Sequence, residues 1–187
     1  MTLEAYAKAR NTIRAEVMAH KKNRNVMLGE HLTLIFEDEM TMRYQVQEML
    51  RAEKIFEEAG IQEELDTYNP LIPDGSNWKA TMMIEYEDID ERRHMLTLLL
   101  GIEDRVWVKV AGFERVFSIA DEDLERANEQ KTSAVHFLRF ELTADMARAL
   151  KQGADLSMGV DHPTYQAHLD PVPPAVRTSL LRDLQPA

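Results

Sequence analysis

Five residues of types that do acid–base or metal chemistry stand out in the sequence: Glu53, His136, Arg139, Asp161 and His162. At 100° per residue, Glu53 falls in the middle of a helical arc formed by Met42, Val46, Met49, Leu50 and Phe56. A carboxylate on such a face needs a partner, because burying it unpaired is costly or shifts its pKa. In the run Ala134 to Phe140, strand alternation groups His136 with Leu138 and Phe140, and Arg139 with Val135 and Phe137. Each face is then apolar with one polar guest, and a sheet covered on both sides would require both guests to be hydrogen-bonded. Asp161-His162-Pro163 closes a strand next to a loop, where sites are commonly built. An Asp beside a His can orient the ring or supply a metal oxygen, although adjacent strand residues point to opposite faces.

Gathered in one pocket, these residues would serve general acid/base work, with Glu53, His136 and His162 as metal ligands. The ordinary reading of each is structural: an internal salt bridge for Glu53 and a satisfied core histidine for His136. Glu91 and His94 repeat the i, i+3 unit used in di-iron bundles, but only one copy exists. The pair lies away from Ile89, Leu96, Leu99 and Leu100, as a solvated helix face would. Seven singly scattered Gly exclude a Gly-rich dinucleotide turn and a phosphate loop. Ser157-Met158-Gly159 lacks the flanking glycines of a nucleophile elbow. With no Cys, the chain has no thiolate metal site, no cysteine-ligated iron–sulfur cluster and no Cys nucleophile.

The elements that must position these residues are legible from periodicity and caps. A long first helix runs from Leu3 to about Lys22, followed by a hairpin of Val26 to Leu28 and Leu32 to Phe36 around Gly29-Glu30. Asp38 is an N-cap and Gly60 a C′ residue for a helix carrying Met42, Val46, Met49, Leu50 and Phe56. A short helix at Gln62 to Asp66 leads into an ordered loop at Tyr68 to Asn77. Then come a strand at Trp78 to Tyr86, a helix at Ile89 to Leu100 and a hairpin of Val106 to Val110 and Val116 to Ile119. A short helix capped by Asp121 follows. The last units are a strand at Ala134 to Leu142, a helix from Thr143 to Gly153, and a strand at Leu156 to Val160. Pro171, Pro173 and Pro174 then break the chain before a small terminal helix. This order predicts a single α+β domain over 1–170, with a largely antiparallel sheet and a long N-terminal helix, and a Pro-rich C-terminal tail over 171–187.

The 187 residues carry a net charge of −11, unevenly. Up to Arg24 there are six Lys/Arg against two Glu, so the first segment is +4 and the remainder −15. Arg10, Arg14 and Lys21 lie inside the apolar arc of Leu3, Tyr6, Ile13 and Val17, giving a mixed apolar and cationic face. Arg10 and Arg14 either pair with the nine acids between Glu37 and Glu64 or dock an acidic partner or an anionic ligand. The acidic balance disfavours nucleic acid as a partner. No apolar run approaches the length of a membrane span, and Met1 to Tyr6 lacks the basic start and apolar run of a signal peptide. The expectation is therefore a cytoplasmic protein with no membrane partner.

Four stretches carry a resemblance: Tyr44-Gln45-Val46-Gln47-Glu48-Met49, Asn69-Pro70-Leu71-Ile72-Pro73-Asp74-Gly75, Thr132 to Phe140, and Gly159-Val160-Asp161-His162-Pro163. In these, and in Ala19-His20-Lys21-Lys22, the chain closely resembles an uncharacterised bacterial family catalogued only as a domain of unknown function. The likeness runs from the first helix to about His168. The resemblance carries no reaction, ligand or catalytic residue. It does imply a setting, because members look to be encoded beside rubrerythrin-like proteins and iron–sulfur oxidoreductase subunits, in peroxide- or iron-linked redox physiology. Lacking Cys, this chain would leave any cluster to such a partner, and an accessory role follows, with Arg10, Arg14 and Lys21 as contact residues. The alternative is a small metal-dependent or acid/base enzyme built from the Glu/His/Arg/Asp set.

Overall fold

The computed structural model describes residues 1–128 and 130–185. Among them, nine strands form two sheets in which every pair is antiparallel. The first sheet contains β1 (Asn25–Leu28), β2 (Leu32–Glu37), β3 (Asn77–Ile84), β6 (Ile119–Ala120) and β7 (Val135–Glu141), in the order β1-β2-β3-β7-β6. The second contains β4 (Val106–Val110), β5 (Val116–Phe117), β8 (Leu156–His162) and β9 (Tyr165–Leu169), in the order β5-β4-β8-β9.

Period-2 alternation turns one face of each sheet inward. Leu32, Leu34 and Phe36 of β2, Trp78, Ala80 and Met82 of β3, and Leu138 and Phe140 of β7 meet Val106, Val108 and Val110 of β4 and Leu156, Met158 and Val160 of β8 in one core. The sheets approach each other at both edges. Ser118 carries the chain from β5 into β6, its amide donating to the Val106 carbonyl at 2.9 Å. At the other edge, the Tyr165 hydroxyl of β9 donates to the Leu28 carbonyl at 2.6 Å and accepts from the His31 amide at 3.0 Å. Gly29 makes this seam possible: its φ is +74°, and a Cβ there would lie 2.4 Å from the Tyr165 hydroxyl oxygen.

Six helices surround the sheets: α1 (Leu3–Lys21), α2 (Glu39–Ala52), α3 (Glu58–Tyr68), α4 (Ile89–Leu98), α5 (Ala144–Lys151) and α6 (Pro174–Leu180). Leu96 of α4, Met146, Ala147 and Leu150 of α5, and Val176 and Leu180 of α6 join the common core. Tyr6 and Val17 of α1 and Met42, Val46 and Leu50 of α2 are buried outside it, where α1 packs along α2. The α+β architecture, the antiparallel pairing and the long first helix match the sequence-based expectation.

Four boundaries differ from that expectation, each for a local reason. Asp38 caps α2 through a capping box with Thr41, but the helix stops at Ala52 instead of running on to Gly60. Lys54 takes φ +56° and the Ile55 amide donates to the Leu50 carbonyl at 2.9 Å, a Schellman closure made without glycine. Gly60 lies inside α3, where its missing side chain admits Ile55: a Cβ would be 2.7 Å from Ile55 Cγ2. Asp121 caps no helix, because with φ +51° its carboxylate is taken by the Phe137 amide and the His136 ring. The expected strand Val116 to Ile119 breaks at Ser118 and divides between the two sheets. Finally, β9 lies beyond the expected end of the β strands, pairing with β8 from Met158↔Leu169 to His162↔Tyr165. Past Pro171, Val172, Val176, Leu180 and Leu184 are all buried in the common core.

Candidate functional site

Glu53 is the C-cap of α2 and is exposed, so the expected burial of this carboxylate is corrected by the early helix stop. His136 is fully buried on the inner face of β7. Its Nδ1 lies 2.5 Å from the Asp121 carboxylate, and its Nε2 is 2.8 Å from Thr132 Oγ1 and 3.1 Å from the Ser133 carbonyl. The carboxylate can only accept, so Nδ1 donates to Asp121. Thr132 in turn donates to Glu103 at 2.9 Å. Burial, reinforced by the charges of Glu103 and Asp121, holds the neighbouring Asp104 carboxyl above its ordinary range.

Arg139 lies on the opposite face of β7, half-buried, bridging Glu122 in a bidentate pair at 2.8 Å and Glu141 at 2.6 Å. That guanidinium keeps the Glu122 carboxyl below the usual range. Asp161 and His162 face opposite sides of β8. His162 points inward, accepting from the Thr164 amide at Nδ1 (3.2 Å) and donating from Nε2 to the Leu100 carbonyl (3.1 Å). Asp161 faces out, 3.2 Å from Arg115. The five candidates therefore share no hydrogen-bonding partner. Among the described residues, no group of three or more His, Asp or Glu side chains is placed to hold a metal ion.

Of the α1 cations, Arg10 forms a bidentate pair with Glu48 at 2.7 Å, and the Tyr6 hydroxyl joins the same carboxylate at 2.5 Å. This is internal pairing. Arg14 is exposed and Lys21 half-buried, and among the described residues neither makes an ion pair. Glu91 and His94 are exposed on α4, as a solvated face requires.

Asp161 borders a concavity. The outward face of the second sheet carries a cross-strand row Phe117–Trp107–Gly159–His168. Because Gly159 has no side chain, the Trp107 indole lies across it: a Cβ at Gly159 would be 2.4 Å from the ring and 2.8 Å from the Ala167 carbonyl. The Arg115 guanidinium, from the β4–β5 loop, stacks 4.2 Å over the indole while pairing with Asp161. Lys109, His168 and Asp170 line the rest of a groove of about 300 Å³. Sheet, indole and guanidinium are thus layered, and the side chains of Lys109, His168 and Asp170 beside them make no hydrogen bond among the described residues. The Val-Trp-Val-Lys-Val alternation at Val106–Val110 already places Trp107 and Lys109 on one outward face. The strand register that sets Trp107 opposite Gly159 has no local signal.

The fold and this groove define a class: an α+β domain of two antiparallel sheets that meet at both edges, with a polar, aromatic-floored groove on one outward face. The chain belongs to the family described as Protein of unknown function (DUF3501), which matches residues 1–184. The match extends beyond His168, where the motif resemblance ends, through the Pro-rich segment, in keeping with the core positions of Val172, Val176 and Leu180. A crystal structure of a novel protein of unknown function from Burkholderia pseudomallei K96243 is similar to this chain, with 58% sequence identity and a TM-score of 0.94. The alignment covers 99% of this chain and 96% of that one. No curated protein matches. No helix among the described residues is long and apolar enough to cross a membrane.

Proposed function

We propose that this protein is an accessory, partner-binding protein whose docking surface is the outward face of the second sheet, centred on Arg115 where it covers the buried Trp107 indole. The observation that carries this reading is the Trp107 indole seated on Gly159 under the Arg115 guanidinium, with Lys109, His168 and Asp170 around it. Trp and Arg are the side chains most enriched at binding hot spots, where a rigid aromatic is ringed by polar groups that exclude water. The cations first considered on α1 contribute less to this reading, since Arg10 is committed to Glu48.

The partner class is a redox metalloprotein of the rubrerythrin-like or iron–sulfur kind, the setting that the family resemblance implies. This chain has no thiolate to offer a cluster, so the metal chemistry of such a pair would reside in the partner. Calorimetry between the purified protein and a rubrerythrin-like protein of the same organism should show a complex at micromolar concentration. Arg115→Glu should weaken that complex about tenfold or more, the size of a hot-spot loss of at least 1.4 kcal/mol. Absence of a complex, or equal affinity in the Arg115→Glu variant with its fold intact by circular dichroism, overturns the reading.

A further inference from the structure

A second concavity, about 320 Å³, lies between the C-terminal end of α1 and α6, and shares no lining residue with the Trp107 groove. Its lining includes His20, Asn23, Thr178, Ser179 and Arg182. Beneath it lies Arg24, 1% exposed, whose guanidinium is 3.4 Å from Ser179 Oγ and 2.5 Å from Asp183. The acids of this region are turned inward: Asp183 onto Arg24, and Asp38 onto Arg24 at 3.4 Å and His20 at 2.5 Å. The side chains of Asn23, Thr178 and Arg182 make no hydrogen bond to the protein among the described residues.

We propose that this concavity binds a small oxyanion, a phosphate or carboxylate group, held by the Arg182 guanidinium with the Asn23 amide and the Thr178 hydroxyl as further donors. A planar guanidinium matches the oxygen spacing of such groups and holds them bidentately. Amide and hydroxyl donors satisfy the remaining oxygens, and the His20 ring, held by Asp38, forms the side wall. The Ser179 hydroxyl and Arg24 give the site a rigid polar floor. An occupant would bridge α1 to the C-terminal segment and, by mass action, stabilise the fold.

Titration of the full chain with inorganic phosphate and, separately, acetate, against chloride at equal ionic strength, tests this by NMR of the backbone amides of residues 20–24 and 174–182. The expected result is saturable shifts confined to those segments, with a rise in melting temperature. Arg182→Gln should weaken the response about tenfold, as loss of one charge-assisted bidentate contact does. Its melting temperature in chloride should stay unchanged, because Arg182 is exposed and makes no hydrogen bond or ion pair among the described residues. The tighter of the two probes identifies the natural group as phosphate or carboxylate. Absence of saturable shifts with both probes, or shifts that persist unchanged in Arg182→Gln, overturns the proposal.

Discussion

A methyl group at Gly159 would collide with both the Trp107 ring (2.4 Å) and the backbone carbonyl of Ala167 (2.8 Å). The indole can leave its seat, but the carbonyl belongs to a paired strand, so relief of the second clash also requires β8 to shift against β9. Gly159→Ala is expected to cost about 1–3 kcal/mol in urea unfolding, the range for overpacking a filled site. It should also increase Trp fluorescence exposure and weaken partner binding together with Arg115→Glu. At this scale the sequence is an uneven guide. Strand alternation groups His136 with Leu138 and Phe140 and sets Asp161 and His162 on opposite faces, because side-chain period depends only on the local backbone, but it does not say which face is inward. The partners of His136, namely Asp121, Thr132 and Glu103, come from a separate loop and a 3-10 turn, and nothing in the strand itself announces them.

Between elements, the apolar packing of α1 on α2 is joined by one paired carboxylate, Glu48. The hydrogen bond from Arg10, helped by the Tyr6 hydroxyl and the charges of Arg10 and Arg51, holds the Glu48 carboxyl at about 2, below its ordinary 4.5. Burial of Tyr6 and its bond to Glu48 push the phenol upward in turn. A carboxyl whose pKa is lowered by folding contributes stability that is complete above its unfolded value and lost as pH falls through the folded one. Between pH 4.5 and about 2 the α1–α2 contact should therefore weaken, seen as mobility of the Tyr6 ring by NMR, and Glu48→Gln should abolish that dependence. Sequence reasoning recovers the arc that holds Arg10 but leaves its partner open among nine acids. The end of α2 is misplaced for a related reason: a left-handed closing residue is expected to be glycine, and Lys54 takes that conformation because Ile55 and Gly60 pack beneath it.

For the whole molecule, Arg24 ties the two chain ends to the sheets. Its guanidinium donates to the carbonyls of Phe36 (2.8 Å) and Glu37 (3.0 Å) at the end of β2, and pairs with Asp183 after α6 at 2.5 Å. Arg24→Met would leave those carbonyls and the largely buried Asp183 carboxylate without a partner. We expect a loss of about 3–5 kcal/mol, measured by chemical denaturation, the usual effect of breaking a buried pair from one side. Local pattern and composition determine the period of each strand, the N-caps of α2 and α5, the α+β class and the absence of thiolate chemistry. Each depends on a residue and its near neighbours in sequence. Tertiary structure alone decides which sheet β6 joins, that Arg24 meets Asp183, that the five candidate residues stay apart, and that Trp107 comes to lie on Gly159. These are encounters between residues far apart along the chain, set by register and closure, and no local preference encodes them.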